Sequence, residues 1–210
     1  MGLRETKKLR TRQEIAEKAM GLFVRRGFDH VTVAEVAAAA GVSEKTVFNY
    51  FPTKEDLFWD EVPEREAALV DAVRGRTEGE SVSAALVRLQ SAGCDRLCSP
   101  GFARFARVIE ESPALQAKEL EIMARFTDAL ARAIRDELGV HELDARIAAN
   151  VLIGVHWQHF RNARSYALAG RHGPAAARRL RSELKRAHRL LEHGLGQLDR
   201  TKPTRERTTS

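Results

Sequence analysis

Apolar residues recur along this chain at helical spacing, and nowhere with the two-residue period of a strand. From about Thr11 to Arg26, Ile15, Ala19, Leu22 and Phe23 fall at i, i+4, i+7 and i+8, one face of an amphipathic helix that Gly27 ends. Residues 1 to about 10 read as a polar, basic arm. Next comes VTVAEVAAAAGVSEKTVFNYFPTKEDLF, residues 31–58, which reads as two short helices and the start of a third. Thr32 and Glu35 have capping-box spacing, with Val31 and Val36 placed as a hydrophobic staple. Gly41 stops the first helix. Ser43 caps the second, with Val42 and Val47 again at staple spacing. Phe51 ends that helix because it precedes Pro52, and Thr53 caps the next.

At about 100° per residue, Val47 and Phe51 share one face of the second helix, with Tyr50 at its margin. Lys45 and Asn49 fall opposite, flanked by Thr46 and Phe48. A Phe turned outward among polar donors calls for a partner, and the major groove of DNA offers one. There Asn pairs with adenine, Lys with guanine, and an apolar group meets the thymine methyl.

The remaining pattern is helical throughout. A helix from Lys54 to about Arg74 carries Leu57, Phe58, Val62, Leu69, Val70 and Val73, and Pro63 should kink or split it. Residues 81–97 read as one helix, and Pro100 and Pro113 suit the first turns of two more. Two long helices close the chain, from Leu143 to about Ala169 and from Pro174 to about Leu198. Their stripes, with Val151 on the first and Leu180, Leu184, Ala187 and Leu191 on the second, suit an antiparallel pair that meets its own copy as a four-helix bundle. Residues 199–210 have the composition of a disordered tail.

Composition changes this picture little. Of 210 residues, 43% are hydrophobic and 30% charged, enough to build a core. The net charge of +6 adds weight to a nucleic-acid partner, although Arg-rich solvated helix faces would give the same total. Two cysteines define no disulfide framework and fit a reduced, cytoplasmic protein. The basic N-terminus leads into an amphipathic helix, so no signal peptide and no membrane span are expected.

Candidate chemistry outside residues 31–58 is sparse. Cys94 and Cys98 share a helix face, which suits a thiol sensor or half a metal site, but buried cysteine is the commoner role. His156 and His159 flank Trp157 and could meet a ligand or a metal, or simply pack. Arg104, Arg107 and Arg125 lie among Phe102, Phe105 and Phe126, a mixture that suits an anionic ligand and equally suits amphipathic surfaces. The sequence contains no phosphate loop, nucleophile elbow or metalloprotease motif, so no enzyme, metal or cofactor is expected.

The helix with Phe23 and Gly27, followed by residues 31–58, resembles the DNA-binding domain of the TetR family, the tetracycline-repressor-like transcription regulators. The run GVSEKTVFNYFPTKEDL carries the resemblance most closely. It implies an all-helical homodimer on a palindromic operator. Residues 1–53 would form the helix–turn–helix head, 54–198 the effector-binding and dimerisation domain, and 199–210 a tail. Carried over by position, Lys45, Thr46 and Asn49 are base-reading, and Thr32, Tyr50 and Lys54 contact phosphate. Phe48 stands where the family often has tyrosine, and so would meet a thymine methyl or a sugar. A small-molecule pocket in the second domain would draw on Phe102, Phe105, Met123, Phe126, His156, Trp157 and Phe160. The expected function is a repressor released by an effector. An activator or redox-responsive regulator of the same fold is the first alternative, and a helical enzyme or carrier with a structural head is the second.

Overall fold

The computed structural model describes residues 3–193, and all its elements are helices. The predicted tail, 199–210, and the last residues of the predicted final helix, 194–198, lie outside the described residues. Helix α1 (Leu3–Arg26) begins well before Thr11, so residues 3–10 belong to the helix where a separate polar, basic arm was expected. Leu, Arg and Lys are good helix formers, and no Gly or Pro interrupts this stretch.

The head follows its local signals closely. Thr32 caps α2 (Val33–Ala40): its hydroxyl accepts from the Glu35 amide, and the Glu35 carboxylate accepts from the Thr32 amide at 2.8 Å. Gly41 takes φ 66°, a left-handed turn that returns the chain onto α3 (Glu44–Tyr50). Ser43 caps α3, and Thr53 caps the short α4 (Lys54–Phe58). Val31, Val36, Val47 and Phe51 are all buried, so both staples close on one core with Ile15, Ala19 and Phe23 of α1.

Pro63 splits the predicted 54–74 helix. Helix α4 ends at Phe58, and α5 (Val62–Arg74) restarts with Pro63 in its first turn, where a missing amide costs nothing. The predicted 81–97 helix also divides, into α6 (Val82–Ala92) and α7 (Cys94–Leu97), at Gly93. Helices α8 (Pro100–Glu110) and α9 (Pro113–Leu138) open on the two prolines as expected. Helices α10 (Glu142–Leu168) and α11 (Gly173–His193) form the final pair.

Two apolar cores result. One joins α5, α6, α9 and the first half of α10. The other starts in the head and runs through Phe58 into α7, α8, the end of α10, and α11. The head's core therefore extends past residue 53. Phe58 packs at 6.2 Å from both Phe23 and Phe28 and stacks on Phe105 of α8 at 4.5 Å.

The closing pair corrects one expectation. Leu180 and Leu184 are 0% and 2% exposed within the single chain, so they pack in its own core and have little surface left to offer a copy. The face of α10 that stays open carries Leu143, Ile147 and Val151, 59%, 53% and 44% exposed, at four-residue spacing.

Phe58→Ala should remove the ring that joins head to body. The expected loss is about 3–5 kcal/mol in denaturant unfolding. A loss below about 1 kcal/mol would show that the head does not depend on this contact.

Candidate nucleic-acid interface and adjoining cavities

On α3, Val47 is fully buried, while Lys45 and Asn49 are exposed and Phe48 keeps 47% of its surface open. Burial of Val47 and Phe51 fixes the rotation of the helix and so decides which side chains face out. Thr46 is half-buried and its hydroxyl lies 2.9 Å from that of Ser43, within the cap. Tyr50 sits half-buried at the margin, as the helical wheel predicts.

The expected phosphate-facing positions are engaged locally. The Thr32 hydroxyl also donates to Glu35 at 3.0 Å. Bonds from Thr32 and then Arg26 hold the Glu35 carboxyl down at about 2. The Lys54 ammonium lies 4.2 Å from the Phe28 ring centroid, and partial burial lowers its pKa.

A short link joins this head to the rest. Arg12 of α1 lies 4.9 Å over the Phe51 ring and donates to the Asp60 carbonyl at 2.7 Å. Asp60 lies in the segment between α4 and α5. Ser112 donates to Asp29 at 2.8 Å, and Lys118 pairs with Asp56 at 3.4 Å. These contacts bind the loop after α1 and the start of α4 to α9 and its cap.

Two cavities meet at the same segment. A space of about 350 Å³ lies between α1, α4 and α8, bounded by Met20, Val24, Phe58, Trp59, Phe102 and Phe105. A larger one, about 550 Å³, lies between α5, α6 and α10, bounded by Ala68, Leu69, Leu89, Gln90, His156 and Phe160. Glu61, Arg65, Arg96 and Leu97 border both. Glu61 bonds Arg65 at 2.9 Å and Arg96 at 2.8 Å, an ion cluster set between the two spaces. Burial pushes the Glu61 carboxyl up, but its bonds to Arg96 and Arg65 outweigh this and leave it lowered.

The expected pocket residues divide. Phe102, Phe105, His156 and Phe160 do border these cavities. Phe126 is buried in the α5–α6–α9–α10 core with Met123 against it, and Trp157 packs on Phe160, its ring 5.7 Å away. Trp59, Glu61, Arg65, Gln90 and Arg96 escaped the sequence reading. Gln90 left a trace: it sits four residues after Leu86, on the buried face of an amphipathic helix. Arg125 pairs with Glu66, and Arg107 is exposed, while Arg104 edges the smaller cavity.

Burial raises the Cys94 thiol to about 11 and raises Cys98 as well. A protonated thiol is a poor nucleophile, so the geometry does not favour a thiolate sensor. Among the described residues, no cluster of three or more His, Cys, Asp or Glu could hold a metal ion. No helix among them is long and apolar enough to cross a membrane.

Helices α1–α3 with their outward Lys45, Phe48 and Asn49 define a helix–turn–helix DNA-binding head on an all-helical body. Residues 15–59 match the family model described as bacterial regulatory proteins, tetR family. The head of the chain is thus similar to the DNA-binding part of that family, and the whole chain is similar in sequence to transcriptional regulators. Over 162 residues it is 28% identical to the HTH-type transcriptional regulator TcmR of Streptomyces glaucescens, covering 73% of this chain and 71% of that one. The solved structure of Thermus thermophilus FadR, a TetR-family transcriptional repressor in complex with lauroyl-CoA, has a TM-score of 0.50 and 26% identity, over 88% and 94% of the two chains. Native NalD of Pseudomonas aeruginosa, the secondary repressor of the MexAB-OprM multidrug efflux pump, shares the fold with a TM-score of 0.56 and 19% identity, over 85% and 96%.

The larger cavity gives a pH prediction. Burial holds His156 and His159 at about 4, against an ordinary value of 6.5. Repulsion from His159 and from Arg65 lowers His156 further, while Glu183 pulls His159 up. The unfolded chain takes up these protons near pH 6.5, and the folded chain only near 4. Stability should be complete above pH 6.5 and fall as the pH drops toward 4. Unfolding measured from pH 7 to 5 should show this decline, and His156→Gln should flatten it. A profile unchanged by His156→Gln would contradict the assignment.

Proposed function

We propose that the protein is a repressor that binds a palindromic operator as a homodimer and is released by a small-molecule effector. The observation that carries the reading is the outward face of α3, where a half-exposed Phe48 stands between exposed Lys45 and Asn49. Water gives such a ring no partner, and the major groove does. In this reading Lys45, Thr46, Phe48 and Asn49 meet base edges, and Thr32, Tyr50 and Lys54 meet phosphates. Residues 1–53 act as the DNA-binding part and 54–198 as the effector-binding and dimerisation part.

One head contacts too few bases to be selective, so pairing matters. The open Leu143, Ile147 and Val151 stripe on α10 supports a dimer face there, with Ala187 and Leu191 of α11, both half-buried, at its side. The FadR structure is of a family repressor in complex with lauroyl-CoA. That supports a small-molecule effector here, without naming it. Both cavities border Glu61 and the smaller one also Trp59, on either side of the Asp60 carbonyl that Arg12 holds. An effector that binds one arrangement of this link better than the other, by about 1–3 kcal/mol, would change operator affinity roughly 5–150-fold.

Gel-shift titrations with matched and mismatched operators test the split between reading and positioning. Asn49→Ala should relax preference at one base pair by about 1–3 kcal/mol. Lys54→Met, which keeps the stem on Phe28, should weaken every sequence alike and reduce the salt slope by about one. Identical effects from the two variants would contradict the assignment. Ile147→Glu should lower operator affinity by giving monomers in sedimentation, and a variant that stays dimeric would move the interface elsewhere.

A further inference from the structure

The larger cavity also carries information on the chemistry of its occupant. Three kinds of group form its wall. Ala68, Leu69, Leu89, Leu97 and Phe160 make most of it apolar. Of its four charged groups, Glu61 is bonded to Arg65 and Arg96, and Glu64 is largely exposed and pairs with Arg12. Three neutral polar side chains remain, of which His159 lies 3.8 Å from the Cys94 sulfur. The Gln90 side-chain oxygen and the His156 Nδ1 are buried with no hydrogen-bond partner among the described residues, and Gln90 is only 8% exposed. Leaving such atoms unpaired is costly, so a bound molecule that pairs them is favoured over one that cannot.

We propose that this cavity takes an uncharged, mainly apolar molecule whose hydroxyl or carbonyl groups bond Gln90 and His156. The inference rests on the reading of this space as the effector site. Either end of the Gln90 amide can turn inward, and a neutral imidazole can donate or accept, so a hydroxyl suits both. A carboxylate ligand would have to displace Glu61 from Arg65 and Arg96 and strand a partly buried acid. An ammonium ligand would face those two guanidiniums, and the remaining carboxylate, Glu64, is largely in solvent beside Arg12. The volume of about 550 Å³ lies in the range of sites for drug-sized molecules.

Calorimetric titration of the intact protein, without DNA, separates these chemistries with three probes on one ring: 1-naphthol, 1-methylnaphthalene and 1-naphthoate. 1-Naphthol should bind about three- to tenfold tighter than 1-methylnaphthalene, the worth of one net hydrogen bond, and tighter still than 1-naphthoate. Gln90→Met with His156→Leu should erase the advantage of 1-naphthol over 1-methylnaphthalene. Gln90→Met alone, which nearly conserves volume, should erase part of it. Tightest binding by 1-naphthoate, no binding by 1-naphthol, or a hydroxyl advantage indifferent to these variants would overturn the proposal. DNA affinity with and without bound 1-naphthol is read separately. A hydroxyl preference with unchanged DNA affinity would leave the ligand chemistry standing and sink the regulatory reading.

Discussion

The contact on which the molecule depends is the aromatic junction at Phe58 and Trp59. Phe58 packs on Phe23 and Phe28 of the head and stacks on Phe105 of the body. Trp59 lies edge-on to Phe58 at 5.2 Å and approaches Phe160 of α10 at 6.4 Å. Aromatic pairs of this kind add about 0.5–1.5 kcal/mol beyond the area that they bury. Their rigidity matters as much as their energy. A head that rotated freely on its body could not hold α3 at a fixed distance from a second α3. A cavity walled by Phe58 and Trp59 would then have no means of acting on it.

The polar contacts at the junction have a different part. Arg12 reaches from α1 to the Asp60 carbonyl while lying over Phe51, the residue that ends α3. One guanidinium thus touches both the end of the recognition helix and the segment between the two cavities. Glu61 follows directly and bridges Arg65 and Arg96. Each of these contacts is partly exposed, so each is modest and can be remade. The junction therefore combines a stiff apolar hinge with polar contacts that two arrangements could share. Such a combination is what a ligand with unequal affinity for the two arrangements needs.

The head was legible in the sequence because its signals are local. Capping boxes, staples and Gly41 act within a few residues, and they placed α2, α3 and the start of α4. The outward side chains of α3 followed from periodicity alone. The body was legible in helix count and prolines, but not in how its faces are shared. Leu180 and Leu184 have the spacing of an interface and also of a core, and only packing against α6, α7 and α10 decides between them. The cavity wall was hidden for the same reason. Phe102, Phe105, His156 and Phe160 were expected at a pocket, but Arg65, Gln90 and Arg96 come from separate stretches, and nothing in their local sequence says that they converge on it. Residues 3–10 misled differently, because a charged surface and strong helix propensity are compatible.

The account stands or falls on whether two α3 helices read DNA together. Selection of bound duplexes from a random library by the intact protein asks this directly. The predicted result is enrichment of an inverted repeat with half-site centres about 10–10.5 base pairs apart, or a multiple of this spacing. Asn49→Ala should blur one position in each half. Enrichment of a single half-site, or of no sequence above background at moderate salt, would contradict the account.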